Sequence, residues 1–267
     1  KSVFQFIVAF FAMYRLVREF GCRKLPSVIS GILYTFCSSL VCWHSWPHSD
    51  VAMFAPFAFL LVWRLVRERK ITDTIWLTIV LYLMLIAGMP TFAAYFLYLL
   101  GVWIVILTIY RYRMNIRKIL IVFCEFGSSV VMAGLISFPY TAQLLLSVGS
   151  NGYTDSRKNQ GFDTLETFYL SLSYYPDWTQ ELARHFNECT LYIGMLGLIL
   201  LLCTFIRLHK RKNIWYWAGA AVVLLLFIYT HTLDFIYTRL PAINTSNKFR
   251  VMVLLNFTIA ILSGFHL

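Results

Sequence analysis

Nine apolar windows of roughly bilayer length, separated by short clusters of Lys and Arg, constrain this chain more than any other feature. A hydrocarbon core about 30 Å thick is crossed by ~20 helical residues rising 1.5 Å each. The windows cover residues 3–17, 26–43, 51–66, 74–88, 91–110, 119–138, 190–208, 214–231 and 249–267. The third and fourth are short for a span. The pattern predicts an all-α, polytopic transmembrane helical bundle of about nine spans. Six spans fall in residues 1–139, one long extracytoplasmic or interfacial connection occupies 140–189, and three spans fall in 190–267, all in one membrane domain. Composition agrees, because 60% of the 267 residues are apolar and 13% are charged, where an ordinary soluble domain carries about 25% charged residues. So apolar a chain is neither a soluble globule nor a disordered one.

The net charge of +11 comes from 23 basic and 12 acidic residues, and its distribution tests the map, since cytoplasmic connections collect Lys and Arg. Sixteen basic residues fall in alternate connections: Arg15, Arg18, Arg23 and Lys24; Arg64, Arg67, Arg69 and Lys70; Arg111, Arg113, Arg117 and Lys118; Arg207, Lys210, Arg211 and Lys212. The opposite side holds Lys1, Arg157, Lys158, Arg184, Arg239, Lys248 and Arg250. This alternation predicts Lys1 outside and Leu267 inside. The basic excess is therefore topological; membrane lipids are the expected partners, and nucleic acid is not. Acidic residues lean outward, with Asp50, Asp155, Asp163, Glu166, Asp177, Glu181, Glu188 and Asp234 on that side. The six cysteines form no C-x-x-C pair and point to neither a zinc site nor a disulfide framework.

Several groups can carry chemistry. The first outer loop holds His44, His48 and Asp50 between Trp43 and Trp46; these residues suit a divalent metal or an anionic head group. They suit equally an interfacial turn with indoles at head-group depth. In the long connection, Arg157 and the aromatic group Tyr174, Tyr175 and Trp178 suit sugar stacking, a lipid-linked substrate or an interfacial helix. Arg239, Lys248 and Arg250 defy the positive-inside bias, and such cations can hold a lipid phosphate or snorkel to outer-leaflet phosphates. Glu125 is the one carboxylate well inside a window, within two turns of Arg117 and Lys118, where an ion pair or a protonated acid is expected. Its helix carries Gly127, Ser128, Ser129, Ala133 and Gly134, a small-residue face for close packing. No metal is assigned from these patterns.

Local patterns run in the order found in a known family. They are Ile29-Ser30-Gly31-Ile32-Leu33-Tyr34-Thr35-Phe36-Cys37-Ser38, Ala55-Pro56 leading to Arg64, Ala87-Gly88-Met89-Pro90-Thr91-Phe92-Ala93, Phe138-Pro139 leading to Arg157, Tyr192-Ile193-Gly194-Met195-Leu196, and Leu240-Pro241 followed by Arg250. Together they resemble the bacterial YfhO family of multi-pass membrane proteins, which is similar to C-type glycosyltransferases using polyprenyl-phosphate-linked sugars. Met89 stands where that family's G-H-P turn has His, so a role for that His is absent. The resemblance implies a bacterial cytoplasmic-membrane protein that moves sugar from a polyprenyl-phosphate carrier to a cell-envelope glycopolymer on the outer face. It implies Arg250 as a lipid-phosphate contact and a catalytic acid in a first outer loop upstream of Lys1, so the chain reads as an internal fragment. A transporter or flippase for lipid-linked or polymeric sugars and a non-catalytic membrane scaffold remain as alternative readings.

Overall fold

A computed structural model describes residues 2–44, 46–113, 115–150, 190–206, 212–242 and 246–266. Among them all regular structure is helical. The helices are α1 (Ser2–Glu19), α2 (Lys24–Thr35), α3 (Ser38–Val41), α4 (Pro47–Ala52), α5 (Ala55–Glu68), α6 (Ile71–Ile86), α7 (Pro90–Tyr112), α8 (Ile116–Ser150), α9 (Met195–Ile206), α10 (Lys212–Tyr229), α11 (Asp234–Arg239) and α12 (Met252–His266). A 3-10 turn, Lys248–Val251, leads into α12. Proline opens α4, α5 and α7, where its missing N–H has no partner to lose.

Each predicted window contains a helix, but the expected count of about nine spans is not reached: among the described residues four stretches are long and apolar enough to cross a membrane, Pro47–Glu68, Pro90–Tyr112, Ile116–Leu144 and Lys248–Phe265. Two windows divide. The second breaks after α2, where Phe36 and Cys37 leave the helix before α3 resumes. The third gains a leading turn, α4, and becomes the first of the four stretches. The sixth overruns its expected end. The window ends at Phe138, yet α8 continues through Pro139 to Ser150. Nearby, Ser137 donates to the Gly134 carbonyl and Thr141 to the Ser137 carbonyl, both at 3.2 Å. Eleven residues of the expected 140–189 connection are thus helical, and residues 151–189 lie outside the described residues.

The helices alternate in direction, giving the bundle two ends. At one end the Gln5 amide donates to Asp50, and Arg250 lies over Trp43. At the other, Arg64 pairs with Glu19, and the Phe20 ring packs among Trp63, Trp103, Trp217 and Phe265. Helix α12 runs between them as an axis, touching α1, α2, α3, α7, α9 and α10. Its neighbours come very near: a Cβ added to Gly264 would lie 2.8 Å from Val17, and one added to Gly31 of α2 would lie 2.9 Å from the Phe10 ring of α1. Several polar groups on this axis bond inside the protein, though the Asn256 side-chain oxygen is buried without a partner among the described residues. Asn256 donates to the hydroxyls of Ser38 and Ser39 at 3.3 and 2.7 Å, and the Ser30 hydroxyl donates to the Ala260 carbonyl at 2.7 Å.

Candidate functional site

A polar convergence lies at the end of the bundle where α10, α11 and the 3-10 turn meet. Helix α10 stops at Tyr229, and Thr230, His231, Thr232 and Leu233 turn the chain into α11. The Asp234 carboxylate accepts hydrogen bonds from His231 Nδ1 at 2.7 Å and Lys248 Nζ at 3.2 Å. Lys248 also donates to the Thr230 carbonyl at 3.2 Å. Burial pushes the Asp234 carboxyl up, but the hydrogen bonds and positive charges of His231 and Lys248 together outweigh it and hold the group below the usual carboxylate range. It is therefore an ionised anchor at neutral pH.

Two residues further, Arg250 is buried, its Nη1 donating to the Ser246 hydroxyl at 3.4 Å. The Tyr237 hydroxyl donates to the Ser246 carbonyl, tying α11 to the start of the 3-10 turn. The Asn247 side chain caps that turn by accepting from the Phe249 N–H at 3.1 Å. The Arg250 guanidinium stands 6.0 Å from the Trp43 ring centroid, and Trp43 stacks on His48 at 4.0 Å. The fold thus joins two regions nearly 200 residues apart in sequence, the Trp43–Asp50 turn and the Lys248–Arg250 pair.

The individual expectations divide. Lys248 and Arg250 lie together. His48 is buried between the rings of Trp43 and Phe92, His44 Nδ1 bonds the Val41 carbonyl at 3.0 Å, and Asp50 accepts from Gln5. The three are not drawn to a common point, and no group of three metal-ligating side chains occurs among the described residues. The turn has the features of the interfacial alternative, with Trp46 exposed and Pro47 opening α4. Gly88 (φ +94) packs against that proline, its missing Cβ leaving room for Pro47 and for the Tyr140 hydroxyl. Arg239 ends α11, exposed and apart from the cluster. Arg157, Tyr174, Tyr175 and Trp178 lie outside the described residues.

His231 and Asp234 are functional candidates that hydropathy reasoning passed over. His231 sat at the end of an apolar window and Asp234 was one outer acid among eight; the readable signal was their three-residue spacing. An apolar groove of about 190 Å³ opens beside them between α7, α10 and α12. Its lining includes Leu233 and Val251, immediate chain neighbours of Asp234 and Arg250, with Tyr98, Val102, Val223 and Phe227 along its length.

Glu125 departs from its expected partners. It pairs with Arg69 at 3.2 Å, because Arg69 ends α5 in a left-handed conformation (φ 54) that turns the chain toward α8. The small-residue face of α8 is also narrower than expected. Val122, Ser129, Ala133 and Ser137 are buried, whereas a Cβ on Gly127 or Gly134 would meet no atom within 4 Å. No protein-family model, curated protein or solved structure matches this chain.

Proposed function

We propose that this chain is part of a membrane glycosyltransferase of the C type, as its resemblance to the YfhO family implies, moving sugar from a polyprenyl-phosphate carrier to a cell-envelope glycopolymer at the outer face. One observation carries the reading: a cationic and acid–base cluster, Lys248, Arg250, His231 and Asp234, borders an apolar groove of about 190 Å³. That juxtaposition suits an amphiphile with a phosphate head and an isoprenoid tail. In this mechanism Asp234 fixes His231 through Nδ1, so Nε2 takes the proton from an acceptor hydroxyl as it attacks the anomeric carbon. The bond from that carbon to the carrier phosphate breaks, and Lys248 and Arg250 stabilise the departing anion. No metal enters this scheme.

The test is release of polyprenyl phosphate from a polyprenyl-phosphate sugar by the purified full-length protein, with His231→Ala and Lys248→Gln alongside. Loss of the base should lower the rate on the order of 10²-fold or more. Absence of any release by the wild-type protein across lipid-linked sugars would count against the reading. A transporter or flippase for lipid-linked sugars is the second reading, favoured by the break between α2 and α3 beside the buried polar group of Asn256, Ser38 and Ser39. Interrupted helices at polar sites characterise such proteins. Movement of a fluorescent lipid-linked sugar across proteoliposomes without hydrolysis would support it.

A further inference from the structure

A second cleft, of about 380 Å³, opens at the opposite end of the bundle, between the end of α1, the last turns of α5 and the last turns of α7. Its apolar wall is formed by Phe20, Trp63, Val66 and Leu107, and two guanidinium groups, Arg67 and Arg111, stand on it. The Glu19 carboxylate at its edge is already paired with Arg64. Arg67 lies with its guanidinium carbon 5.2 Å from the Trp63 ring centroid, a cation–π contact that fixes the side chain against the wall. Neither Arg67 nor Arg111 forms an ion pair among the described residues. Trp63 is itself buried, and its indole N–H has no acceptor among the described residues. A buried donor of this kind ordinarily has a partner.

We propose that this cleft binds one anionic phospholipid, its phosphate between Arg67 and Arg111 and the start of an acyl chain along Trp63, Val66 and Leu107. Three features favour that occupant. The cationic rim requires negative charge; the apolar wall gives a chain-bearing ligand more to bury than a free anion; and the surrounding end of the bundle carries Arg15, Arg18, Arg23, Lys24, Arg64 and Lys70, the charge excess expected of a surface facing anionic lipid. Basic pockets between membrane helices are a recognised setting for such head groups. The site lies at the far end of the bundle from His231 and Lys248, so it stands or falls independently of the glycosyltransferase reading.

Native mass spectrometry of the full-length protein in detergent, offered equal phosphatidylglycerol and phosphatidylcholine, provides the test. One phosphatidylglycerol per chain should be retained in preference to phosphatidylcholine. The double variant R67Q/R111Q should lower that preference about tenfold or more, given the contribution of basic side chains beside anionic lipid. Both side chains are exposed, so helical content by circular dichroism should not change. R23Q removes a charge from the same end but outside the cleft and should leave the preference intact. Equal retention of the two lipids by the wild-type protein would overturn the proposal, as would an R23Q loss matching that of the double variant, which would mark diffuse attraction. Displacement of the lipid by millimolar inorganic phosphate would overturn the lipid assignment in favour of a free anion.

Discussion

Helices α12 and α8 are both apolar enough to cross a membrane, but they have opposite surroundings. Of the residues in the apolar stretch Lys248–Phe265, which contains α12, 94% are buried inside the protein, against 17% in the stretch Ile116–Leu144 of α8. Helix α12 meets protein on every side, and its polar residues Asn256, Thr258 and Ser263 all bond within the fold. Helix α8 leans on α6 along one stripe and presents Val131, Leu135, Ile136 and Phe138 outward. In lipid an outward apolar side chain loses nothing by its exposure, so the two helices read alike by hydropathy while differing in what packing contributes. The comparison teaches that apolarity identifies a helix suited to a membrane without saying whether its neighbours are lipid or protein.

The comparison breaks most readily through cavity-forming changes. Phe257 is fully buried among the rings of Tyr34, Phe59, Phe96 and Trp217, so Phe257→Ala should cost about 3–5 kcal/mol in denaturant titrations in detergent. Phe138→Ala on α8 should stay within about 0.5 kcal/mol; equal losses would mean that α8 is covered by protein after all. Asn256→Ala, which removes two donors' bonds to Ser38 and Ser39, should cost about 1 kcal/mol by the same titration. A smaller loss of about 0.6 kcal/mol is expected for Ser129→Ala, whose hydroxyl donates to the Thr74 carbonyl of α6 at 3.1 Å. If the serine change on α8 proves costlier than the asparagine change on α12, the contrast fails.

The smallest effect concerns the polar end where α12 begins. Asp234 is held below its usual range, so its charged form is favoured in the folded state. That stabilisation is present above the unfolded-state value near about 3.9 and is lost as pH falls through the lower folded-state value. Protection of the α11 amides against hydrogen exchange, taken relative to the intrinsic rate at each pH, should therefore fall on acidification over that window in the wild-type protein. In Asp234→Asn the acid-dependent step should be missing, and a persistent step would assign it to another group.

The all-helical character was legible because apolar residues between basic clusters mark helices directly, whereas only four stretches among the described residues proved long and apolar enough to cross a membrane. The interruptions were less so. The sixth window ended at Phe138, but α8 runs on through Pro139 to Ser150, a continuation into polar sequence that a hydropathy window does not weigh. The break at Phe36 and Cys37 left no proline or glycine to mark it. At the candidate site, Lys248 and Arg250 stood out as cations on the unexpected side. Their partners did not: Asp234 is identified by the 3.2 Å bond from Lys248, and Trp43 by its place beneath Arg250, both set by tertiary folding. The Glu125 ion pair went to Arg69 rather than its sequence neighbours because α5 and α8 meet only in the folded bundle.

The position of α12 has a kinetic consequence. It follows in the chain all six of the helices that it touches, α1, α2, α3, α7, α9 and α10. During synthesis those helices are made first, with the hydroxyls of Ser30, Ser38 and Ser39 deprived of their eventual partners. Until α12 follows, the faces that it covers have no protein neighbour. Assembly thus resembles setting a keystone into an arch, and the late arrival of one segment governs when every earlier helix settles.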